Sequence, residues 1–445
     1  MSVAAQRLRV TAIGIGYLGL THAACMAELG HEVLAIDTDQ ERVARVSAGK
    51  MPFFEPELEE LMRKGLESGR LRFTTSYEEI GQFGEVHFLC VGTPQGADGA
   101  ADLSQVTGAV DALAPYLRSP CLIVGKSTVP VGTARKLTDR IHAAAPAGSD
   151  VELAWNPEFL REGNAVQDTL RPDRLVFGVT SERADSLLRQ VYEQPLSEGI
   201  PALTMGLETA ELVKVSANSF LATKISFINA VADTCEAAGA DVTQLVEALA
   251  LDERIGRKSM SPGLGFGGGC LPKDIRAYQA RAKTLGADSI VSLLSIVDDI
   301  NKGRRARVVE MAREVTGGSL SGKRITALGV AFKPNSDDIR DSPSLDVCGR
   351  LAAEGAIVTA HDPMALENAS RVRPELRYAT SVLEAAEGAD LIVHLTEWTE
   401  YRSIDPAALA EVVAQRNVID ARCVLDRQAW QAAGWSVRAL GRAAL

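Results

Sequence analysis

The sequence predicts an α/β protein with two Rossmann-like, doubly wound domains joined by a long central helix and an all-α middle domain. Three features predict it. Near the N-terminus a strand runs into a glycine turn, a helix, a second strand and an acid. From about Ala210 up to Gly239 a helical pattern continues without proline or glycine, and from Arg324 a second strand-to-glycine, strand-to-acid succession begins. A chain of 445 residues suffices for two or three domains, and the changes of pattern divide it at 1–204, 205–302 and 303–445.

In the first block, Val10 to Ile15 is a β-branched run that leads into Gly14-Ile15-Gly16-Tyr17-Leu18-Gly19, and an alanine-rich helical stretch follows to Leu29, stopped by Gly30. A second strand, Val33 to Ile36, ends in Asp37. Such a turn can be a plain βα connection. In this context, though, the first two glycines let backbone approach a pyrophosphate, the third lets helix and strand pack closely, and the helix N-terminus supplies partial positive charge. Asp37 lies 18 residues beyond Gly19, where a carboxylate accepts from ribose hydroxyls and repels a 2′-phosphate. NAD is favoured; Arg42 leaves an opening for NADP. Further strands at Glu85 to Val91 and Leu122 to Lys126 close on Gly92-Thr93-Pro94 and on Ser127 to Thr133. These turns fall at the carboxyl ends of strands, where open α/β sheets bind ligands, although Thr93 and Thr128 can equally cap the next helices.

The central helix would span about 45 Å at roughly 1.5 Å per residue, too long for one small domain to bury. It is expected to join domains and to form part of a subunit interface. More helix is predicted from Val242 to Ala250 and from Ile275 to Asn301. The second block starts at Arg324 to Gly329, with strands at Ile357 to Ala360 ending at Asp362, Leu391 to Leu395, and Val418 to Asp420; it lacks the GxGxxG turn. Two nucleotide-type sheets imply two nucleotide ligands.

Composition excludes other classes. Forty-seven basic against 58 acidic residues leave a net charge of −11, and no basic run of five interrupts it, which argues against a nucleic-acid surface. Seven scattered cysteines without a CxxC spacing read as reduced thiols, and six histidines without HxxxH or HExxH give no metal site. No apolar run approaches a membrane span, and with nine residues before the first strand no signal peptide is expected.

Three pairs at i, i+4 spacing place polar side chains on one helix face. In Asn156-Pro157-Glu158-Phe159-Leu160-Arg161-Glu162-Gly163, Asn156 fits an N-cap, Pro157 the first helical position and Gly163 the stop, so Glu158 and Glu162 share a face. They could also be surface glutamates favoured by the helix dipole. Lys214 and Asn218 share a face of the long helix; such a lysine commonly points to water, yet a desolvated one beside an amide could stabilise an oxyanion. Cys270 and Asp274 form the third pair, with Pro272 opening a helix whose N-terminus, with Lys273, would favour a thiolate. The alternative is an inert buried cysteine. Five glycines between 263 and 269 argue for close backbone approach by a ligand instead. An NAD site, a reactive thiol and an oxyanion donor together indicate oxidation at the aldehyde level: a thiohemiacetal gives a thioester that water opens, with Glu158, Glu162 and Asp274 as candidate proton-transfer groups.

Ordered along the chain, seven segments resemble the UDP-glucose/GDP-mannose dehydrogenase family, from Val10 to about Asp420. They are Gly14 to Gly19, Val91-Gly92-Thr93-Pro94, Ser127-Thr128-Val129-Pro130, Asn156 to Glu162, Lys214 with Asn218, Gly267-Gly268-Gly269-Cys270 with Pro272-Lys273-Asp274, and Ala331-Phe332-Lys333 with Asp338-Ile339-Arg340. The resemblance implies oxidation of a sugar nucleotide at C6 to the uronic acid, with two NAD⁺ and one water consumed. UDP-glucose is the expected substrate; GDP-mannose, a UDP-N-acetylhexosamine or a non-catalytic nucleotide sensor are the alternatives.

It further implies that residues 1–204 bind NAD, 205–302 dimerise and 303–445 bind the UDP-sugar. Cys270 would be the nucleophile, Lys214 with Asn218 the oxyanion stabilisers, Asp274 a holder or activator of water, Glu158 a participant in thioester hydrolysis and Thr128 the residue that orders the water. Gly14, Gly16, Tyr17, Leu18, Gly19, Asp37, Arg42, Thr93, Thr128, Glu162, Lys273 and Arg340 would line the NAD site. The segment Glu158, Phe159, Leu160, Arg161 and Glu162, the loop Ser259, Met260, Ser261, Pro262 and Gly263, and Lys214, Asn218, Gly267 and Lys333 would line the sugar-nucleotide site. Arg254 would reach a neighbouring subunit's substrate in a homodimer or higher homo-oligomer, located in the cytoplasm. Gly269 stands where the family often has serine, and Ser259-Met260 where an aromatic-aliphatic pair is usual.

Overall fold

A computed structural model describes residues 7–443. The chain forms two compact units, one extending to Ala217 and the other starting at Asn218, so the division falls inside the helix Leu207–Ala238.

The first unit is built on eight strands, β1 (Arg9–Ile13), β2 (Glu32–Ile36), β3 (Leu71–Thr74), β4 (Val86–Leu89), β5 (Cys121–Gly125), β6 (Val151–Trp155), β7 (Leu175–Gly178) and β8 (Ala202–Met205). Their order is β3-β2-β1-β4-β5-β6-β7-β8, parallel throughout except between β6 and β7. The inner strands are apolar on consecutive residues because helices cover both faces, as in β5, where all five residues are buried. The order reverses between β1 and β4, which makes the end of β1 a topological switch point. There Gly14, at φ +91°, donates its N–H to Ile36 O at 2.8 Å and ends the strand two residues earlier than the apolar run suggests. A Cβ on Gly19 would lie 1.7 Å from Gly14 O, so the helix Tyr17–Glu28 can seat against β1 only with glycine there. Strands β3, β6, β7 and β8 are additional to the four read from sequence; β3 and β8 lie at the sheet edges, with mixed burial and no clean apolar run.

The second unit contains the rest of the long helix, the helices Val242–Ala250, Leu271–Thr284 and Asp288–Val315, and a six-stranded parallel sheet. The sheet comprises β9 (Arg324–Leu328), β10 (Ile357–His361), β11 (Arg377–Tyr378), β12 (Leu391–His394), β13 (Asn417–Asp420) and β14 (Ser436–Ala439), in the order β11-β10-β9-β12-β13-β14. The single helix expected from Ile275 to Asn301 is two helices. Gly286 breaks it at φ +72°, with the Ala287 N–H returning to Ala282 O at 3.0 Å.

The glycine-rich leader from 263 to 269 is packed against its own unit. Asn301, buried in the helix Asp288–Val315, grips Phe266 at both backbone groups: its Oδ1 accepts the N–H at 2.8 Å and its Nδ2 donates to the carbonyl at 2.9 Å. Asn229 Oδ1 accepts from Gly263 N–H at 2.8 Å, and the Arg304 and Arg422 guanidiniums donate to Gly263 O and Gly265 O, each at 3.2 Å. An added Cβ would come within 2.8 Å of Ala421 O at Gly263, 2.3 Å of Asn301 Oδ1 at Gly265, 2.3 Å of Asp341 O at Gly267 and 2.7 Å of the Phe332 ring at Gly268. The glycines thus admit close approach of neighbouring protein, and the leader is fixed by these contacts.

Gly265→Ala should therefore cost about 2–4 kcal/mol, because it combines a left-handed backbone with loss of the Asn301 contact. Gly303→Ala, where a Cβ meets nothing within 4 Å inside a helix, should gain up to about 1 kcal/mol. Urea unfolding midpoints check both; equal midpoints for the two variants would contradict this packing.

Candidate active site

The turn after β1 offers bare backbone. Gly16 is the N-cap of Tyr17–Glu28 with no side-chain cap bond, and a Cβ there would meet nothing within 4 Å. The first-turn amides are thus presented to an anion. Asp37 Oδ2 accepts from Ile15 N–H and Oδ1 from Asp39 N–H, both at 3.0 Å. Arg42 pairs with Asp37 at 3.1 Å and with Asp39 at 3.6 Å. Two carboxylates therefore neutralise the cation that would have welcomed a 2′-phosphate, and these residues fit NAD. Leu18 packs on the core beneath. Tyr17 donates its hydroxyl to Glu55; burial, then that carboxylate, push the phenol well above its ordinary range.

Neither threonine of the next two turns is a cap. Thr93 is buried and donates to Thr128 O at 2.8 Å, tying the loop after β4 to the loop after β5. Ser127 adds a bond to Val91 O at 2.6 Å. The helices that follow begin at Ser104, with Leu103 as N-cap, and at Thr133, with Gly132 as N-cap. The amides of Gly132 and Ala134 are instead satisfied by Glu211, a buried carboxylate on the long helix, at 2.7 Å each.

The helix expected from Asn156 to Gly163 does not form. Asn156 is buried, and its amide is consumed inside the sheet. Its Oδ1 accepts from Lys126 Nζ at 2.9 Å and Tyr192 OH at 2.7 Å, and its Nδ2 donates to Val176 O at 3.0 Å. With its side chain so occupied it cannot cap, and the chain runs irregularly to a turn at Glu162-Gly163 before the helix Ala165–Leu170. Glu158 and Glu162 therefore do not share a helix face. Glu158 instead pairs with Lys214 at 2.9 Å and accepts from Leu160 N–H at 2.8 Å. Lys214 is 4% exposed, so it is desolvated, not directed to water. Phe159 lies between two cations, with the Arg174 guanidinium 3.8 Å and the Lys214 ammonium 5.6 Å from its ring centre. Arg161 forms an ion pair with Asp168 at 2.5 Å.

In the second unit Cys270 is the N-cap of Leu271–Thr284, with Pro272 in the first turn, and its carbonyl accepts from Asp274 N–H at 3.0 Å. Of the seven cysteines it alone is exposed, which removes the inert-core alternative. Asp274 is buried; it accepts from Asn218 Nδ2 and from Lys273 Nζ, both at 2.6 Å. Arg340 pairs with Asp338 at 2.7 Å, and its guanidinium lies over Gly269, where a Cβ would sit 2.4 Å from Cζ. The Lys333 ammonium is 5.2 Å from the Phe332 ring centre. Arg254 is exposed and pairs with Asp252 at 2.6 Å. In the loop Ser259 to Gly263, Ser261 is exposed and Ser259 adopts φ +63°, while Met260 is buried among Ile228, Ala232, Val242 and Val246. Gly267 is buried as well.

Lys126, Tyr192 and Glu55 had no functional role in the sequence reading. Lys126 carried a signal: it is the only charge between Cys121 and Val131, at the end of a buried strand.

The glycine turn and its acid place the protein among the NAD-dependent dehydrogenases built on a dinucleotide-binding sheet. Three family models make this specific. Residues 8–196 match the NAD binding domain, 208–303 the central domain and 326–427 the UDP binding domain of one family. The chain belongs to the UDP-glucose/GDP-mannose dehydrogenase family. It is 39% identical over 444 residues to the UDP-glucose 6-dehydrogenase of Pseudomonas aeruginosa, covering 98% of each chain. Among solved structures it resembles a UDP-glucose dehydrogenase from Pyrobaculum islandicum, with a TM-score of 0.89, 37% identity and coverage of 95% and 96%. A UDP-D-ManNAc dehydrogenase from Pyrococcus horikoshii superposes with a TM-score of 0.85 at 26% identity, with coverage of 98% and 99%. Among the described residues no helix is long and apolar enough to cross a membrane.

Burial pulls the Lys126 ammonium down to about 8, assisted by Lys214 and opposed by Cys90 and Glu158. The unfolded chain titrates near the ordinary 10.5, so between those values it binds more protons than the folded state and stability rises with pH. Relative to Lys126→Met, the wild type should gain on the order of 3 kcal/mol across that window, at about 1.4 kcal/mol per unit. Urea unfolding of both proteins at about pH 7.5 and about pH 10 measures it; an unchanged difference would mean that Lys126 is not desolvated.

Proposed function

We propose that the chain oxidises UDP-glucose twice at C6, giving UDP-glucuronate through covalent intermediates on Cys270. The observation that carries this reading is the exposed Cys270 thiol at the N-terminus of a helix whose first turn holds buried Asp274, to which Asn218 of the long helix donates. The start of that helix lends partial positive charge to the sulfur. NAD, when bound, takes up a hydride from C6 at the alcohol level and again at the thiohemiacetal level.

The residues of the chain divide the remaining work. Lys214, desolvated and fixed by Glu158, stabilises the alkoxide and the later oxyanions, and Asn218 donates to the same charge. Sulfur adds to the aldehyde carbon, and the carbonyl oxygen becomes the thiohemiacetal oxygen. Its oxidation leaves a thioester, and water adds to that carbonyl and expels the thiolate. The acid thus carries one oxygen from water, and the sulfur returns unchanged. Glu158 and Asp274 hold and move the proton of that water, and Thr128 orients it. Glu162, Lys273 and Arg340 contact NAD; Lys333 and the loop 259–263 contact the sugar nucleotide.

Residues 1–204, 205–302 and 303–445 are assigned to NAD binding, dimerisation and UDP-sugar binding. Exposed apolar side chains on the central helices, Phe220 and Phe227 one heptad apart and Leu293 with Ile296, support a homodimer in which Arg254 reaches the neighbouring site. We further propose that it works in the cytoplasm and supplies a uronic acid donor for polysaccharide biosynthesis. UDP-glucose is preferred over an N-acetylated sugar because the relatives named for UDP-glucose are 37–39% identical, against 26% for the UDP-D-ManNAc dehydrogenase.

Purified protein supplied with UDP-glucose should release two NADH per sugar; one NADH with free aldehyde would sink the double oxidation. Cys270→Ser should block formation of the acid and Cys270→Ala should still bind NAD, so wild-type turnover in both would remove the thiol from the mechanism. Lys214→Ala should lower kcat by about 10²–10³. A panel of UDP-glucose, GDP-mannose and UDP-N-acetylhexosamines, followed by NADH absorbance, tests the substrate.

A further inference from the structure

Glu55 is a buried carboxylate to which the mechanism gives no task. It sits in Met51-Pro52-Phe53-Phe54-Glu55-Pro56-Glu57, ahead of the helix Leu58–Glu67. Its two oxygens receive three donors from two other parts of the first unit. Oε2 accepts the Tyr17 phenol and Gly163 N–H, the latter at 2.7 Å, and Oε1 accepts Ala165 N–H at 2.6 Å. Tyr17 OH is itself 3.3 Å from Gly163 N, and its ring lies 4.9 Å from that of Phe53. A second acid from the same segment, Glu57, accepts from Gln167 Nε2 at 2.8 Å.

Tyr17 opens the helix that follows the dinucleotide turn, and Gly163 closes the segment that carries Glu158 and Glu162. Between Trp155 and Ala165 the chain has no regular structure, so its backbone groups depend on such contacts. We infer that Glu55 is a positioning residue that couples the two: it holds the Glu158–Glu162 segment against the dinucleotide turn, so that NAD binding and segment order reinforce each other. The coupling rests on the assignment of NAD to the turn at Gly14 to Gly19 and of Glu158 to thioester hydrolysis.

All three contacts use the carboxylate oxygens as acceptors. In Glu55→Gln the amide turns an N–H₂ toward a donor, so one contact becomes donor against donor. Tyr17→Phe leaves both backbone bonds and cuts only the link to the turn. Because coupling is reciprocal, each end must sense the other.

Hydrogen exchange of the full-length protein, with and without saturating NAD, separates the outcomes. In the wild type NAD should slow exchange of amides 159–165 by about tenfold or more. Tyr17→Phe should retain slow basal exchange there and lose the response to NAD. Glu55→Gln should exchange about tenfold faster there even without NAD, with unchanged protection of β4 and β5. In turnover, both variants should lose more in kcat than in KM for NAD. A full NAD response in both variants would overturn the coupling, and so would a uniform loss of protection across the first sheet. These readouts do not depend on the sugar: if UDP-glucose proves not to be the substrate the exchange result still stands, and if UDP-glucose turns over normally without an exchange response, only the coupling falls.

Discussion

Asn301 holds Phe266 by both of its backbone groups, and the path of the chain to Cys270 depends on that grip. An amide side chain paired with a main-chain N–H and C=O imitates one rung of a β-ladder, so a segment with no sheet partner is nonetheless fixed in register. With Phe266 fixed, Gly263, Gly267 and Gly268 must pass close to Ala421, Asp341 and Phe332, where an added Cβ would collide. The thiol is therefore presented by a rigid segment. In the proposed mechanism the sulfur must meet one carbon twice, and such a rigid segment would serve it, since misplacement by an ångström can cost about a hundredfold in rate.

The charges follow a similar rule. Lys214, Asp274 and Lys126 are all buried, and each has a specific partner: Glu158, then Asn218 with Lys273, then Asn156 with Tyr192. Buried ions add little net stability and are costly when a partner is removed. Lys126 follows β5, Lys214 lies on the long helix and Asp274 lies in the first turn of Leu271–Thr284, and each is already out of water and held in one orientation by its partners, which is the preorganisation that the proposed roles of Lys214 and Asp274 require.

The sequence made some of this legible and hid the rest for identifiable reasons. The turn from Gly14 to Gly19, the acid at Asp37, the long helix and the capping position of Cys270 are local patterns, set by dihedral preference and spacing, and they are found where spacing puts them. The segment after Asn156 was misjudged because Asn-Pro-Glu satisfies every local rule for a helix start while the asparagine side chain is committed to Lys126, 30 residues away in sequence. The same kind of distant partner hid Glu55, which acts at separations of 38 and 108 residues. The glycines were noticed for close approach by a ligand, whereas the neighbouring backbone and side chains that also require them could not be read from spacing. Local chemistry reveals where a constraint exists; the group that imposes it is found only in three dimensions.

The two sheets repeat one topology, and their strand-end acids show how far that repetition reaches. Asp37 binds two backbone amides and an arginine and stays at the margin of its turn. Asp362, at the equivalent end of β10, is buried and accepts from the amides of Val330, Ala331, Met364 and Ala365 and from the Trp398 indole, at 2.8–3.2 Å. A carboxylate has about four lone-pair sites, so five donors exhaust it. Asp362 therefore builds its turn and has no capacity left for a ribose, and the turn after β9 carries Val330-Ala331 in place of an uncapped glycine. The same strand-end acid thus stands in two different settings: a scaffold at Asp362, where the lone pairs are filled, and at Asp37, where they are left partly available, the ribose contact expected from the sequence.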